Sequence, residues 1–408
     1  MKVLITGAQF ANKGAQSMLY SLVNELNSRY EAITIYYVPL DDYKKYAPGL
    51  YRFVVTYDDR AYLDWKHSAG QFLKRSARCA VNSLRIAFRG RDGGVARYSK
   101  VIGAIDALID ISGFALSDQF PRAINNRYLR YLEDAEKHGA KVILMPQSFG
   151  PFDYGAGKDA LEKKIRALLP RADLIFAREK EGKDLLERLY QLPDVRLSPD
   201  SVLLASPLDP AAVLCRACTP AAPAVATAHN VGIIPNTQTV LHGDESKILE
   251  IYRAAINNLI RLGKQVYIFR HSDDQALCKK IYAMFEGHES VHLILQDMDC
   301  LEYSLFVKNF DYVIASRYHA IVHAYKEHVP AVILGWAVKY DELAAPFAQT
   351  PYVYDLTRCT AGDIEAAVQL MDSRYAEESD TISLRCQELA QNTCYDLCWP
   401  ILDRLNGR

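Results

Sequence analysis

The chain lacks any uninterrupted apolar run long enough for a membrane helix, although 50% of its 408 residues are hydrophobic. A helical membrane-spanning protein is therefore not expected. The opening stretch, MKVLITGAQFANKGA, does not read as a secretory leader, because its apolar part is short and glycine follows at once. Charge excess is missing too: 48 basic residues face 49 acidic ones, the formal charge is -1 and the sequence pI is about 6.8. No global field favours nucleic acid, so any anion binding must be local. The cysteines are nine, an odd number for a disulfide framework. Cys215 and Cys218 form a lone CxxC without a second ligand pair, and Cys394 and Cys398 stand one helical turn apart. Reduced thiols and a cytoplasmic location are the expectation.

What is present is alternation. Val3–Thr6 reads as a short buried strand, and 16–27 as the helix after it. Ala32–Val38, Ala107–Ile111, Val142–Met145 and Leu174–Ala177 read as further strands, the third of the chain being Ala107–Ile111. After a Pro- and Ala-rich stretch at 205–228 the alternation restarts. Strands are expected at Val231–Ile234, Gln265–Phe269, Val291–Leu295, Tyr312–Ala315 and Ala331–Leu334, with helices at 244–262 and 274–286. Strands alternating with helices imply parallel sheets covered on both faces. The fold class is α/β, with two facing Rossmann-like domains. The expected division is 1–204, a linker at 205–228, 229–372, and terminal helices at 373–408 that pack back on the first domain. Ligands of such sheets bind beyond the carboxyl ends of the strands, so the loops there carry the functional interest.

Residues 66–100 break the pattern. Lys66, Lys74, Arg75, Arg78, Arg85, Arg89, Arg91, Arg97 and Lys100 face Asp92 alone, interleaved with Phe72, Leu73, Val81, Leu84, Ile86 and Phe88. A basic amphipathic stretch suits peripheral contact with an anionic membrane. The plainer reading is a solvated helix or loop near the cleft.

SRYHAIVHAY, residues 316–325, follows the buried strand at 312–315. His319 and His323 at i and i+4 share a helix face, as zinc ligands do. A metalloprotease would carry Glu after the first His, and Ala320 stands there. No third ligand is assigned, and no metal is expected. An anion site fits better. Ser316 is placed to cap the helix, with Arg317 and His319 in or just before its first turn, where free N–H groups and the helix dipole favour an anion. Arginine adds a planar fork for phosphate or carboxylate, and histidine a group that titrates near neutrality. Other strand-end loops supply Asn12, Lys13 and Gln16, then Gln147 and Ser148, Arg178, Asn236, Arg270, His271, Ser272 and Asp273, and Trp336, Lys339 and Tyr340. Singly, each reads as a solvated polar residue. Together they suit a cleft for a small, multiply charged anion.

ITGAQFANKGAQSML, ILMPQSFGPF, ADLIFAREKEGKDLL, SPDSVLL, VGIIPN, HSDD and DYVIASRYHAIVHAYKEHVPAVILGWAVKYDEL occur in that order. In them the chain resembles the polysaccharide pyruvyl transferase family over most of its length, outside about 60–100 and the tail. It departs where members often carry two glycines after the third strand; here ISGF has only Gly113. The resemblance implies a two-domain architecture like that of GT-B glycosyltransferases. It also implies transfer of pyruvate from phosphoenolpyruvate to two hydroxyls of a sugar as a ketal, in bacterial surface or capsular polysaccharide biosynthesis. No other cofactor is implied. Arg317 and His319 match the family's Arg-x-His motif at the donor site, and Arg178 matches by its context. Ser316, Tyr318, Asn236 and Lys339 complete the expected donor side. His319 is the expected general acid, and His271 or Asp273 the base. Asn12, Lys13, Gln16, Gln147 and Ser148 are expected on the acceptor side, and a lipid-linked saccharide would suit the basic stretch. Two other readings stay open: a glycosyltransferase using a nucleotide sugar, and a non-catalytic glycan-binding or scaffold protein.

Overall fold

The computed structural model describes residues 1–40, 49–60, 95–155, 158–215, 220–226 and 228–407. The basic stretch therefore lies outside the described residues except for its last six, and so does Cys218.

Two all-parallel sheets organise the chain. The first is built from β1 (Lys2–Thr6), β2 (Thr34–Tyr37), β3 (Val54–Tyr57), β4 (Val95–Arg97), β5 (Ala107–Asp110), β6 (Phe114–Leu116), β7 (Lys141–Phe149), β8 (Leu174–Ala177) and β9 (Val195–Leu197). Its order is β4-β3-β2-β1-β5-β7-β8-β9, with β6 paired to β7. The second holds β10 (Asn230–Ile234), β11 (Gln265–Phe269), β12 (Val291–Ile294), β13 (Tyr312–Ala315), β14 (Ala331–Gly335) and β15 (Val353–Asp355), in the order β12-β11-β10-β13-β14-β15. In each sheet the order reverses beside the first strand. That crevice is where such sheets hold ligands.

Three elements differ from the sequence reading. Ala107–Asp110 is the fifth strand, not the third, because β3 and β4 come before it. The second strand is trimmed to Thr34–Tyr37. The helix after β13, Tyr318–Lys326, takes Arg317 as its N-cap, and no side chain caps it. Ser316 is one residue too early, and its Oγ is 2.5 Å from the Tyr252 hydroxyl.

Side chains alternate across the strands, and the alternation sorts the core. Leu4 and Leu108 join the outer core of the first sheet, whereas Val231, Ile233 and Ile314 join that of the second. Val3, Ile5 and Ile109 point the other way, as do Phe269, Val313 and Ala315, and these inner faces merge into one continuous core. Two helices sit within it. The first helix, Lys13–Arg29, starts where Asn12 Oδ1 accepts from the N–H groups of Gly14 and Ala15. The Tyr318–Lys326 helix buries Ala320, Ile321, Val322 and Ala324.

Further contacts join the halves. Gln16 Oε1 accepts from Cys300 N at 3.0 Å, at the start of the Cys300–Val307 helix. The Cys394–Asn406 helix reaches the first sheet's side: Tyr395 OH donates to Ser201 O at 3.2 Å, and Arg29 and Tyr30 hold Asp403. Residues 209–215 of the Pro- and Ala-rich stretch dock on the first helix. Asn27 donates to Ala212 O, Asn24 accepts from Asp209 N, and Leu214 bridges to Tyr51. No helix of the described residues is long and apolar enough to cross a membrane.

Ile109 is 1% exposed at the centre of the first sheet. Ile109→Ala should cost roughly 2–5 kcal/mol in urea unfolding; a loss under about 1 kcal/mol would contradict a tightly packed inner core.

Candidate functional site

The carboxyl ends of the two sheets face each other, and two helix starts meet between them. Gly14, in the first turn of the first helix, lies against the His319 ring. A Cβ built on Gly14 would come within 2.1 Å of His319 Cγ. Glycine is thus required for the ring to lie there. On its other side, His319 Nε2 is 3.4 Å from Asp200 Oδ2, a charge contact rather than an aligned hydrogen bond. Nε2 is shielded from solvent and Nδ1 lies on the Gly14 side.

Asp200 is fully buried and follows β9. Burial pushes its carboxyl up, but His319 and then Arg178 more than offset this, with help from Val202 N, and hold it well below the usual carboxylate range. Arg178 comes from the end of β8. Its guanidinium donates to Asp200 Oδ2 at 2.8 Å and to Ser148 Oγ at 2.7 Å, and lies 4.7 Å from the Tyr318 ring centroid. Ser148 in turn donates to Glu179 Oε1 at 2.9 Å. Burial works against the charge on Arg178, while Tyr318, Glu179 and Asp200 sustain it. Lys339 lies beside this group. Burial, then the nearby Arg178, pushes its ammonium down, and no carboxylate among the described residues pairs with it. A cavity of about 450 Å³ is lined by Ser148, Arg178, Glu179, Trp336 and Lys339.

Arg317 occupies the middle. Its Nε and Nη2 donate to the two oxygens of Asp274, at 2.9 and 2.5 Å. Asp274 is fully buried and also accepts from Thr237 N at 2.9 Å. Arg317 keeps 23% of its side chain exposed, so its remaining edge faces the cleft. His271 is buried with Nδ1 3.0 Å from Ser272 Oγ and no partner for Nε2. Burial first, then His323, His319, Arg317 and Lys13, push its imidazole well below its ordinary range, so it is neutral. His323 lies between Ser17 Oγ at 2.7 Å and Ser304 Oγ at 3.3 Å, and burial takes it down to about 3.

The structure thus brings together Arg317, His319, Tyr318, Arg178, Ser148 and Lys339, with His271 close by. Other expected site residues are placed differently. Ser316 and Asn236 brace the strand end: Ser316 O accepts from Asn236 Nδ2 and from Tyr340 OH. Gln16 is committed to Cys300 N, and Asn12 caps its helix. Gln147 is buried over Asp110, a carboxyl that burial raises to about 6 against hydrogen bonds from Thr6, Ser112 and Gln147. Asp273 is exposed, and its side chain makes no hydrogen bond or ion pair among the described residues. Lys13 reaches Asp297 at 2.9 Å. Three residues were not foreseen: Gly14, Asp200 and Asp274. Asp200 lies within SPDSVLL and Asp274 within HSDD, so the motifs marked the regions without saying which carboxylate turns inward. The described residues contain no cluster of three or more metal-ligating side chains.

Two facing parallel-sheet domains with a charged cleft at their strand ends define the GT-B class of architecture. The fold resembles a putative UDP-N-acetylglucosamine 2-epimerase from Listeria monocytogenes, with a TM-score of 0.51 at 11% identity over 95% of this chain and 90% of that one. An α-glucosyltransferase solved with UDP and a 13-mer DNA also has a TM-score of 0.51, at 13% identity over 100% and 99% of the two chains. No curated protein matches by sequence. The sequence model of the polysaccharide pyruvyl transferase family matches residues 12–337, and the chain belongs to that family.

Two expectations follow. Gly14→Ala should leave the fold intact yet displace the His319 ring, lowering turnover by roughly a hundredfold, the usual cost of a 1 Å misplacement; unchanged kcat would separate the ring's position from activity. His323 binds no proton in the folded state until about pH 3, whereas the unfolded chain takes one near 6.5. Its burial therefore costs more stability as pH falls through 6.5. Relative to wild type, His323→Gln should gain up to about 2 kcal/mol between pH 7 and pH 5 in chemical denaturation; a pH-independent difference would refute the neutral state.

Proposed function

We propose that the protein transfers pyruvate from phosphoenolpyruvate to two hydroxyls of one sugar, forming a cyclic ketal during surface-polysaccharide assembly. The observation that carries this reading is His319, seated on Gly14 with Nε2 toward Asp200 and flanked by Arg317. Family membership supports it independently.

The chemistry needs an acid first. His319, beside the Asp200 carboxylate, is the group that delivers a proton to the methylene carbon of the donor. The π electrons of the enol phosphate form the new C–H bond, and positive charge develops at the carbon bearing phosphate and carboxylate. One sugar hydroxyl attacks that carbon as a base takes its proton. The second hydroxyl then displaces phosphate and closes the ring, its proton leaving with the phosphate. The products are the ketal and inorganic phosphate. Arg317 offers its free edge to one donor anion, and Lys339 is a cation without an internal counter-ion. Arg178, pinned by Asp200 and Ser148, positions Asp200 and Tyr318 as much as it contributes charge. As the base we favour His271 over the exposed Asp273, because His271 is neutral and its Nε2 lacks a partner. A lipid-linked acceptor at the cytoplasmic face of the membrane is the version that the basic stretch 66–100 suits.

The test is incubation with phosphoenolpyruvate and candidate saccharides, following phosphate release and a pyruvate-sized mass gain on the sugar. His319→Ala should stay folded by circular dichroism and lose roughly 10²–10⁴ in turnover; near-normal turnover would remove His319 from the acid role. Consumption of a nucleotide sugar instead would move the assignment to a glycosyltransferase, and a folded protein inert to every donor would favour a binding role.

A further inference from the structure

A second charged group joins the two halves. Lys13 Nζ, at the start of the first helix, is 2.9 Å from Asp297 Oδ1. Arg270 Nη2, just after β11, is 3.1 Å from the same oxygen. The burial is inverted relative to an ordinary surface pair. The cations are the buried members, with 11% and 18% of their side chains exposed, and the carboxylate lies on top of them, 66% exposed. Arg270 is fixed from behind, its Nε donating to Leu295 O at 3.1 Å. Asp297 Oδ2 makes no hydrogen bond or ion pair among the described residues. One carboxylate oxygen thus serves two cations contributed by opposite halves of the molecule.

A pair of buried cations covered by a single exposed carboxylate is stable only marginally in its favour. Exposed carboxylates contribute little to an ion pair, because water competes for them. A phosphate group carries more charge and three acceptor oxygens, and could satisfy Lys13 and Arg270 with separate oxygens.

We propose that Lys13 and Arg270 form a phosphate-binding subsite made of other residues than Arg178 and Lys339, and that Asp297 occupies it as an internal stand-in that the ligand displaces. The subsite spans both halves, so a bound phosphate holds them together as Asp297 does without it. The phosphate belongs either to the donor or to a phosphorylated acceptor; the chemistry recognised is the same. The inference does not depend on the pyruvyl reading, because inorganic phosphate suffices as a probe.

Calorimetric titration of the full chain with inorganic phosphate tests it, in wild type, Asp297→Asn, Arg270→Gln and the double variant. Asp297→Asn keeps the shape of the loop but removes the competing charge, so phosphate should bind about two- to fivefold more tightly. Adding Arg270→Gln should abolish that gain. Equal affinity in Asp297→Asn and wild type would overturn the proposal, as would a gain that survives Arg270→Gln. A change in melting temperature alone, with phosphate affinity unchanged, would show a plain interdomain latch and also overturn it. With the gain present, a matching fall in KM for phosphoenolpyruvate assigns the subsite to the donor. An unchanged KM assigns it to a phosphate on the acceptor.

Discussion

The cleft depends on one buried carboxylate. Asp200 has no exposed surface, and its charge would be costly there without partners. It is held by Arg178 from a neighbouring strand end, by Val202 N from its own turn, and by His319 from the other half of the molecule. Removing it would leave the buried Arg178 with only its longer 3.6 Å contact to Glu179, and His319 without the carboxylate beside it. The first domain therefore supplies the anion that sets the ring of the second. Neither half positions the His319 ring by itself, which is a physical reason for the extensive contact at the strand ends.

Around that carboxylate most cations of the cleft already have a carboxylate partner before any ligand arrives. Arg178 faces Asp200, Arg317 faces Asp274, and Lys13 and Arg270 share Asp297. Only Lys339 among these cations has no carboxylate within pairing distance in the described residues. Anion binding in such a site is an exchange of counter-ions more than an addition of charge. The internal carboxylates differ in how readily they yield. Asp200 and Asp274 are fully buried and hydrogen-bonded, so they stay and aim their arginines; Asp297 is exposed and can leave. Burial thus divides the arginines and lysines into positioned groups and available ones, a division that charge type alone does not reveal.

That division explains what could be read from the residues and what could not. The long strands and their alternation with helices were legible because a buried parallel strand leaves a dense apolar run. The short ones, β3, β4, β6, β9 and β15, have three or four residues and little signal of their own; they exist because neighbouring strands offer an edge. The strand-end rule found Arg178, Arg317 and His319, since those positions follow directly from the strand boundary. Their partners depend on tertiary geometry. HSDD offers two adjacent aspartates, and only the capping turn before the Gln275–Ala283 helix puts Asp274 inside and Asp273 outside. Gln16 looks like a substrate contact in the sequence and is instead the acceptor for an N–H group on the facing half. Ser316 has the chemistry of a cap, but the helix begins one residue later, and its hydroxyl goes to Tyr252.

The two histidines of HAIVH show the same principle at the scale of one turn. They share a helix face, so spacing alone treats them alike. His319 ends beside a carboxylate that stays ionised, and its ring retains some access to the cleft. His323, one turn deeper, meets only hydroxyls, Ser17 and Ser304, within an apolar interface. Hydroxyls satisfy a neutral imidazole as well as a charged one, whereas a carboxylate favours the imidazolium. Burial keeps His323 neutral, whereas His319 lies beside a carboxylate, although both are the same residue on the same stripe. What assigns chemistry to one and packing to the other is the residue that crosses the interface to meet each of them, Asp200 for the first and Ser17 for the second.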